Sequence, residues 1–368
     1  MDKTKKTVLV GMSGGVDSTL AAYILKQSGY NVVGITMKIW DGKLSAEKVR
    51  SGCYGPGEAA DIEDAGLAAG KIGIPYYVAD MAEEYRASVI KYFRSEYLSG
   101  RTPNPCVMCN QKMKFGMMLK KAGELGIDFD LFATGHYASV RYSAEKDRYI
   151  LCRGADSKKD QSYFLYRLTQ EQLKKCIFPL GGFTKKEVQA AAAECGFDYY
   201  AEKPESQDFY EGAGYGDFFR KGEMKPGDII DEKGRIIGKH DGLVNYTVGQ
   251  RKGLGIGGSG EPLYVLRIDA CSNRIVAGPR SSLFSSGLAA SRINWISSDY
   301  SGEKKSFSAK LRSHQPDVPC KVFPGDKDSV RVVFDEPQMA VTPGQSVVFY
   351  SGDEVAGGGI IDSAEAVV

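Results

Sequence analysis

Near the start of the chain an apolar run, Thr7 to Gly11, breaks into Gly11-Met12-Ser13-Gly14-Gly15-Val16-Asp17-Ser18 and resumes as DSTLAAYILKQSG. The second stretch spaces its apolar residues by three and four and stops on Gly29, which reads as a helix with its C-terminal break. A strand joined to a helix by a glycine turn commits the chain to a βα unit. The turn also leaves unpaired backbone N–H groups and the positive end of the helix dipole facing an anion. The design recurs: NVVGITM, PYYVAD and DLFATGHY are further strand candidates, and EAADIEDAGLAAGKIG repeats the helix with its terminal glycine. Strands alternating with helices predict an α/β domain with a parallel sheet over residues 1–203.

Beyond that point the texture changes. Glycine is dense in EGAGYG, KPGDIIDEKG and RKGLGIGG, which predicts a small loop-rich central domain over 204–260. From 261 to 368 short alternating runs, LYVLRID, RIVAG, SFSAKLR, CKVF, SVRVVF and SVVFY, are separated by PGD, DEP and TPGQ turns, predicting an antiparallel barrel or sandwich. A length of 368 residues suits two or three such units. With 48 Lys plus Arg against 46 Asp plus Glu the net charge is +2, so any nucleic-acid surface has to be a local patch. Arg220-Lys221 and Arg251-Lys252 suit phosphate contact as well as an ordinary solvated pair. The opening MDKTKK has no signal-peptide character, and no apolar run reaches the roughly 18 residues of a membrane helix. A cytoplasmic protein without membrane contact is expected.

The glycine turn lacks the Gly-Lys-Ser/Thr ending of a Walker loop and the three-glycine spacing of a dinucleotide fold. Its SGGVDS core resembles the signature of the PP-loop ATP pyrophosphatases, of adenine nucleotide alpha hydrolase-like fold, which cleave ATP to AMP and pyrophosphate to activate an oxygen. Asp17 is read as an outer ligand of Mg2+ beside the triphosphate, or more plainly as a first-turn acid on the helix dipole.

Further segments resemble one PP-loop family, the tRNA-specific 2-thiouridylases: GRTPNP at 100–105 with Cys106 to Asn110, ATGHYA at 133–138, KKDQSYFL at 158–165, FPLG at 178–181, YTVGQRKGLGIG at 246–257 and TPGQ at 342–345. The resemblance implies a PP-loop domain, a small central domain and a C-terminal β-barrel. It implies adenylation of the C2 oxygen of the tRNA wobble uridine and displacement of AMP by sulfur. It also implies ATP contacts from Gly11, Met12, Ser13, Gly14, Gly15, Val16, Asp17, Ser18, Met37 and Gly135. tRNA contacts would come from His136, Lys158, Lys159 and Asp160, and in the barrel from Ser313, His314 and Gln345. At 313 and 314 the family's usual Tyr-Arg is Ser-His here.

The sulfur side is less ordinary. Cys109 matches the family's catalytic cysteine and precedes a helical run, Asn110 to Leu125, where a helix N-terminus would lower its thiol pKa. The family's usual second cysteine is replaced by Tyr210 in Glu205-Ser206-Gln207-Asp208-Phe209-Tyr210, and a phenol carries no persulfide. The chain has instead Cys106, in a Cys-x-x-Cys with Cys109, and Cys53 in a glycine-rich loop. Cys53, Cys106 and Cys109 are candidate ligands of a 4Fe-4S cluster with one iron open to sulfide. A zinc site completed by His136, a Cys106–Cys109 redox pair and a persulfide on Cys109 alone are the alternatives. Cys152, Cys176, Cys195, Cys271 and Cys320 read as small buried hydrophobes. A sulfur donor or relay protein is expected as partner. An amide-forming PP-loop ligase and a non-catalytic ATP- and tRNA-binding protein are the competing functions.

Overall fold

Strand β1 (Thr7–Gly11) buries Val8, Leu9 and Val10 completely, so it lies inside a sheet covered on both faces. A computed structural model of the chain describes residues 5–44, 51–203, 205–206, 208–220, 222–256, 261–297, 300 and 303–367. In it β1 is flanked in parallel by β2 (Asn31–Lys38) and by Leu131–Thr134, with Tyr76–Asp80 and Cys176–Ile177 outermost. Alternate residues face opposite layers. Val8 and Val10 pack on helices α1 (Val16–Gln27) and α2 (Glu58–Ile72). Leu9 faces the other layer, built from helical residues between 82 and 124. The chain runs outward from β1 to one side first and returns to the other side with Leu131–Thr134, so the direction switches beside β1. Ligands of open α/β sheets bind at that point, off the C-terminal strand ends.

Strand β3 (Gly52–Tyr54) pairs in parallel with Asp208–Tyr210, Gly52 opposite Asp208 and Tyr54 opposite Tyr210. Cys53, expected in a loop, therefore sits on a short strand.

Four strands form a central sheet in the order Ile236–His240, Gly227–Ile230, Arg274–Gly278, Tyr264–Asp269. The last two are the runs RIVAG and LYVLRID, grouped with the C-terminal strands on sequence. Their alternation marks them as strands but says nothing of which sheet they join.

Six later strands, Phe284–Trp295, Val330–Met339, Val318–Pro324, Lys305–Lys310, Ser346–Ser351 and Glu354–Ala366, close into a barrel when the first pairs with the last. A hairpin from the first domain, Ala138–Ser143 with Arg148–Arg153, extends this sheet. The barrel and first domain also share a buried seam. Tyr163 donates to the Ser346 carbonyl at 2.9 Å and Tyr166 to that of Gly359 at 3.2 Å. No helix among the described residues is long and apolar enough to cross a membrane.

Candidate active site

The glycine turn is held by its own hydroxyls: Ser18 Oγ accepts from Ser13 N at 3.1 Å and donates to the Gly15 carbonyl at 3.1 Å. Gly14 has φ of +71°, and a Cβ there would stand 2.3 Å from the Asp61 carbonyl oxygen, so the position admits glycine alone. Gly135 packs just as closely: a Cβ would lie 2.7 Å from the carbonyl carbon of Asp17 and 2.8 Å from Ser18 N. The end of Leu131–Thr134 thus seals one side of the loop, while buried Met12 and half-buried Met37 lie along its β2 side.

Asp17 is not a bare carboxylate. It accepts from Tyr137 Oη and from Lys185 Nζ, both at 2.7 Å. Lys185 also meets Glu205 at 2.7 Å, and Lys159 meets Glu205 at 2.6 Å. Burial works against the Glu205 charge, but the two lysines outweigh it and hold its carboxyl below the ordinary value. Lys203 Nζ donates to the Gly14 carbonyl at 3.2 Å and to Asp61 and Asp64 at 2.7 and 2.5 Å. Lys185, Lys203 and Tyr137 escaped the sequence reading because a single lysine or tyrosine has no periodic signal. What marks them is proximity across up to 189 positions of chain.

His136 hydrogen-bonds Thr134 Oγ1 through Nδ1 at 2.6 Å. Burial, reinforced by Lys114, holds its imidazole well below the usual value and therefore neutral. Lys114 lies within electrostatic range of Cys53, Cys106 and Cys109 as well.

The helix bearing the thiols begins earlier than Asn110. Asn104 caps it by accepting from Val107 N at 3.2 Å, and Pro105 opens the first turn. Cys106 is in that first turn, and Cys109 is a full turn inside and buried. The expected lowering of the Cys109 thiol is overturned: burial pushes it up to about 12, with Lys114 opposing. Cys106 behaves alike. Cys53 is exposed by area, yet protein atoms crowd its sulfur closely enough that desolvation raises it to about 12 too. Its Sγ lies 3.5 Å from the Phe209 carbonyl. Among the described residues no group of three or more His, Cys, Asp and Glu is tight enough for a single metal ion, so a zinc site completed by His136 is not assembled.

Tyr210 is fully buried, its ring against Phe218 at 4.6 Å and its hydroxyl donating to Asp217 at 2.6 Å. It fills the aromatic core behind Cys53. Cys152, Cys176 and Cys320 are buried as expected, whereas Cys195 is half-buried and Cys271 is exposed.

The residues expected at tRNA are dispersed. Lys158 and His314 are exposed, and Ser313 is partly so. Lys159 is engaged by Glu205. Asp160 is buried, accepts from Gly154 N and Ser162 N at 3.2 and 3.0 Å, and lies 3.6 Å from both Arg153 and Lys310. That carboxylate faces the protein interior, not solvent. Gln345 Nε2 donates to the carbonyls of Thr102 and Pro103, each at 3.0 Å, so it braces the loop leading to the thiols. Thr102 N donates in turn to the Pro343 carbonyl at 2.9 Å. Arg251 and Lys252 are exposed, while Lys221, Gln207 and Gly257 lie outside the described residues.

A parallel sheet reversing beside an anion-binding glycine loop, followed by a small sheet and a closed barrel, defines a three-domain HUP protein. Residues 6–210 match the tRNA methyl transferase HUP domain, 218–279 the tRNA methyl transferase PRC-barrel domain and 285–361 the aminomethyltransferase beta-barrel domain. The chain is 50% identical over 364 residues, 97% of its length and 99% of the relative's, to tRNA-specific 2-thiouridylase MnmA of Acetivibrio thermocellus. It is 46% identical to the protein of the same name from Endomicrobium trichonymphae, covering 98% of this chain and 99% of that one. Against the Carboxydothermus hydrogenoformans protein the identity is 47%, over 97% and 98%. The chain belongs to the tRNA-specific 2-thiouridylase family.

Proposed function

We propose that the chain is an ATP-dependent tRNA uridine 2-sulfurtransferase of the cytoplasm, converting the wobble uridine to 2-thiouridine with release of AMP and pyrophosphate. The observation that carries this reading is a glycine anion loop sealed by Gly135, in a chain 50% identical to a 2-thiouridylase over 97% of its length and carrying Cys109 in a Cys-x-x-Cys.

The backbone N–H groups of Gly11 to Ser18 cradle the triphosphate, with Met37 and Gly135 along the adenosine. Asp17 would be the residue to hold Mg2+, which when bound would neutralise charge on the triphosphate, and Lys185, hydrogen-bonded to Asp17 at 2.7 Å, supplies a second positive charge beside it. The uridine O2 attacks the α-phosphorus, the bond to the bridging oxygen breaks, and pyrophosphate leaves. Sulfur then adds at C2 and the C2–O bond breaks, AMP carrying the oxygen away. Neutral His136 sits where the base reacts. Lys158, Ser313 and His314 remain for the tRNA backbone, while Lys159, Asp160 and Gln345 act from within the fold.

The sulfur side is Cys109 with Cys106 and Cys53. Cys106 and Cys109 share the helix that opens at Pro105 and Cys53 lies on β3, and these three thiols are the candidate ligands of a 4Fe-4S cluster with one iron left open, although among the described residues no group of three or more His, Cys, Asp and Glu is assembled to hold a metal ion. When bound, such a cluster supplies an iron free to take the sulfide that is transferred. Lys114 contributes the nearby positive charge that favours three thiolates.

Nucleoside mass spectrometry of tRNA from a deletion strain tests the function: 2-thiouridine should vanish and return with the gene, and unchanged 2-thiouridine would sink the reading. Anaerobic purification with iron, sulfide and zinc assays tests the cluster, which falls if metal-free or zinc-loaded protein is fully active.

A further inference from the structure

Tyr85 is 1% exposed, and its hydroxyl has no hydrogen-bond partner among the described residues. Its ring stacks on Tyr54 at 5.2 Å and 19°, and Tyr54 directly follows Cys53 on β3. The helix carrying Cys106 and Cys109 packs against the segment from Ala82 to Ile90 that bears Tyr85. The phenol is thus enclosed by the two elements that supply the thiols, the strand of Cys53 and the helix of Cys106 and Cys109. The ring alone does not call for the hydroxyl: neighbouring Phe93, Phe209 and Phe218 fill the same core without one, and Tyr210 gives its own to Asp217. A buried hydroxyl without a partner destabilises the fold, so it points to a partner absent from the bare chain.

We propose that Tyr85 donates a hydrogen bond to the anionic sulfur species held among Cys53, Cys106 and Cys109, and so positions it for transfer. This rests on the thiolase reading above. The shared chemistry is an anionic sulfur, either sulfide at an iron–sulfur cluster or the terminal sulfur of a Cys109 persulfide; on the second route the Cys106 thiolate attacks the Cys109 sulfur once the outer sulfur is bonded to C2, the S–S bond to that outer sulfur breaks, and 2-thiouridine leaves with a Cys106–Cys109 disulfide behind.

Tyr85→Phe tests it in three ways. Metal-free variant should melt at or above the wild-type temperature, because an unsatisfied group is removed. Pyrophosphate release with tRNA should stay within about twofold, while 2-thiouridine formation falls about tenfold or more, the worth of one hydrogen bond to a charged acceptor. In iron-loaded protein the cluster's reduction potential should drop, since a donor to sulfur is lost. The arms with iron plus sulfide and with iron-free, persulfide-loaded protein tell the two sulfur sources apart by which one shows the tenfold loss. Undiminished thiolation in both arms, a lowered melting temperature, or equal loss of adenylation and thiolation overturns the assignment. Wild-type protein that makes no 2-thiouridine instead overturns the parent reading, and this inference with it.

Discussion

Asp17 holds two donors at once, Tyr137 and Lys185, and each bond has a consequence for the nucleotide step. Asp17→Asn keeps the shape but removes the charge that Mg2+ would use, and pyrophosphate release should fall about 100-fold. Unaltered release would mean that the carboxylate serves only as counter-ion to Lys185. At the thiols the expected pattern differs: Cys106→Ser should leave pyrophosphate release intact and abolish 2-thiouridine, and equal loss of both would indicate misfolding instead. Burial lifts the Cys109 thiol to about 12, above its unfolded value near 8.5. In the bare chain at pH 8 only about one such thiol in 10,000 is ionised. Alkylation of Cys109 by iodoacetamide should therefore be slow and accelerate about tenfold per pH unit toward 12. The same shift has a sign for stability. The folded state holds the proton more tightly, so this contribution is complete below about pH 8.5 and lost as the pH climbs through 12. A Cys109→Ala control should show a shallower loss on the alkaline side.

Among the elements, those with a strong period were legible in the amino-acid sequence: β1, β2, α1 and α2 appear where alternation and three–four spacing put them. The glycine turn between the first two was legible because it combines a local pattern with a local function. The thiol helix starts about one turn before the expected run from Asn110, at Asn104-Pro105, a cap followed by a first-turn proline. Cys109 consequently lies where burial decides its chemistry. Lys185, Lys203 and Tyr85 were illegible for another reason, since their meaning comes from contacts made only after the chain has folded. Strand Asp208–Tyr210 carries the clearest element-scale prediction. Tyr210 is fully buried behind β3, so Tyr210→Cys should not create a working second thiol but open a hole, destabilising by about 3 kcal/mol. Urea unfolding measures the loss, and a variant of wild-type stability with raised thiolation would refute the placement.

At the scale of the whole molecule, the first domain and the barrel are joined by charge as well as by packing. Asp160 sits between Arg153 and Lys310, and Arg153 also reaches Asp317 at 3.0 Å and stacks over the Tyr350 ring at 3.6 Å. Asp160→Asn would strip the shared counter-ion from two enclosed cations, at a cost of about 3 kcal/mol, and lower the denaturation midpoint without changing ATP affinity. An unchanged midpoint would show the seam to be wet. The barrel also shapes the thiol loop directly: Gln345 and Pro343 hold Thr102 and Pro103, and Arg101 donates to the Ile361 carbonyl at 3.1 Å. Residue 361 is made 260 residues after Arg101. At 5 to 20 residues per second, roughly ten to fifty seconds of synthesis separate the thiol loop from the strand that braces it. A nascent chain can therefore build its nucleotide loop long before its sulfur loop acquires the brace that holds it.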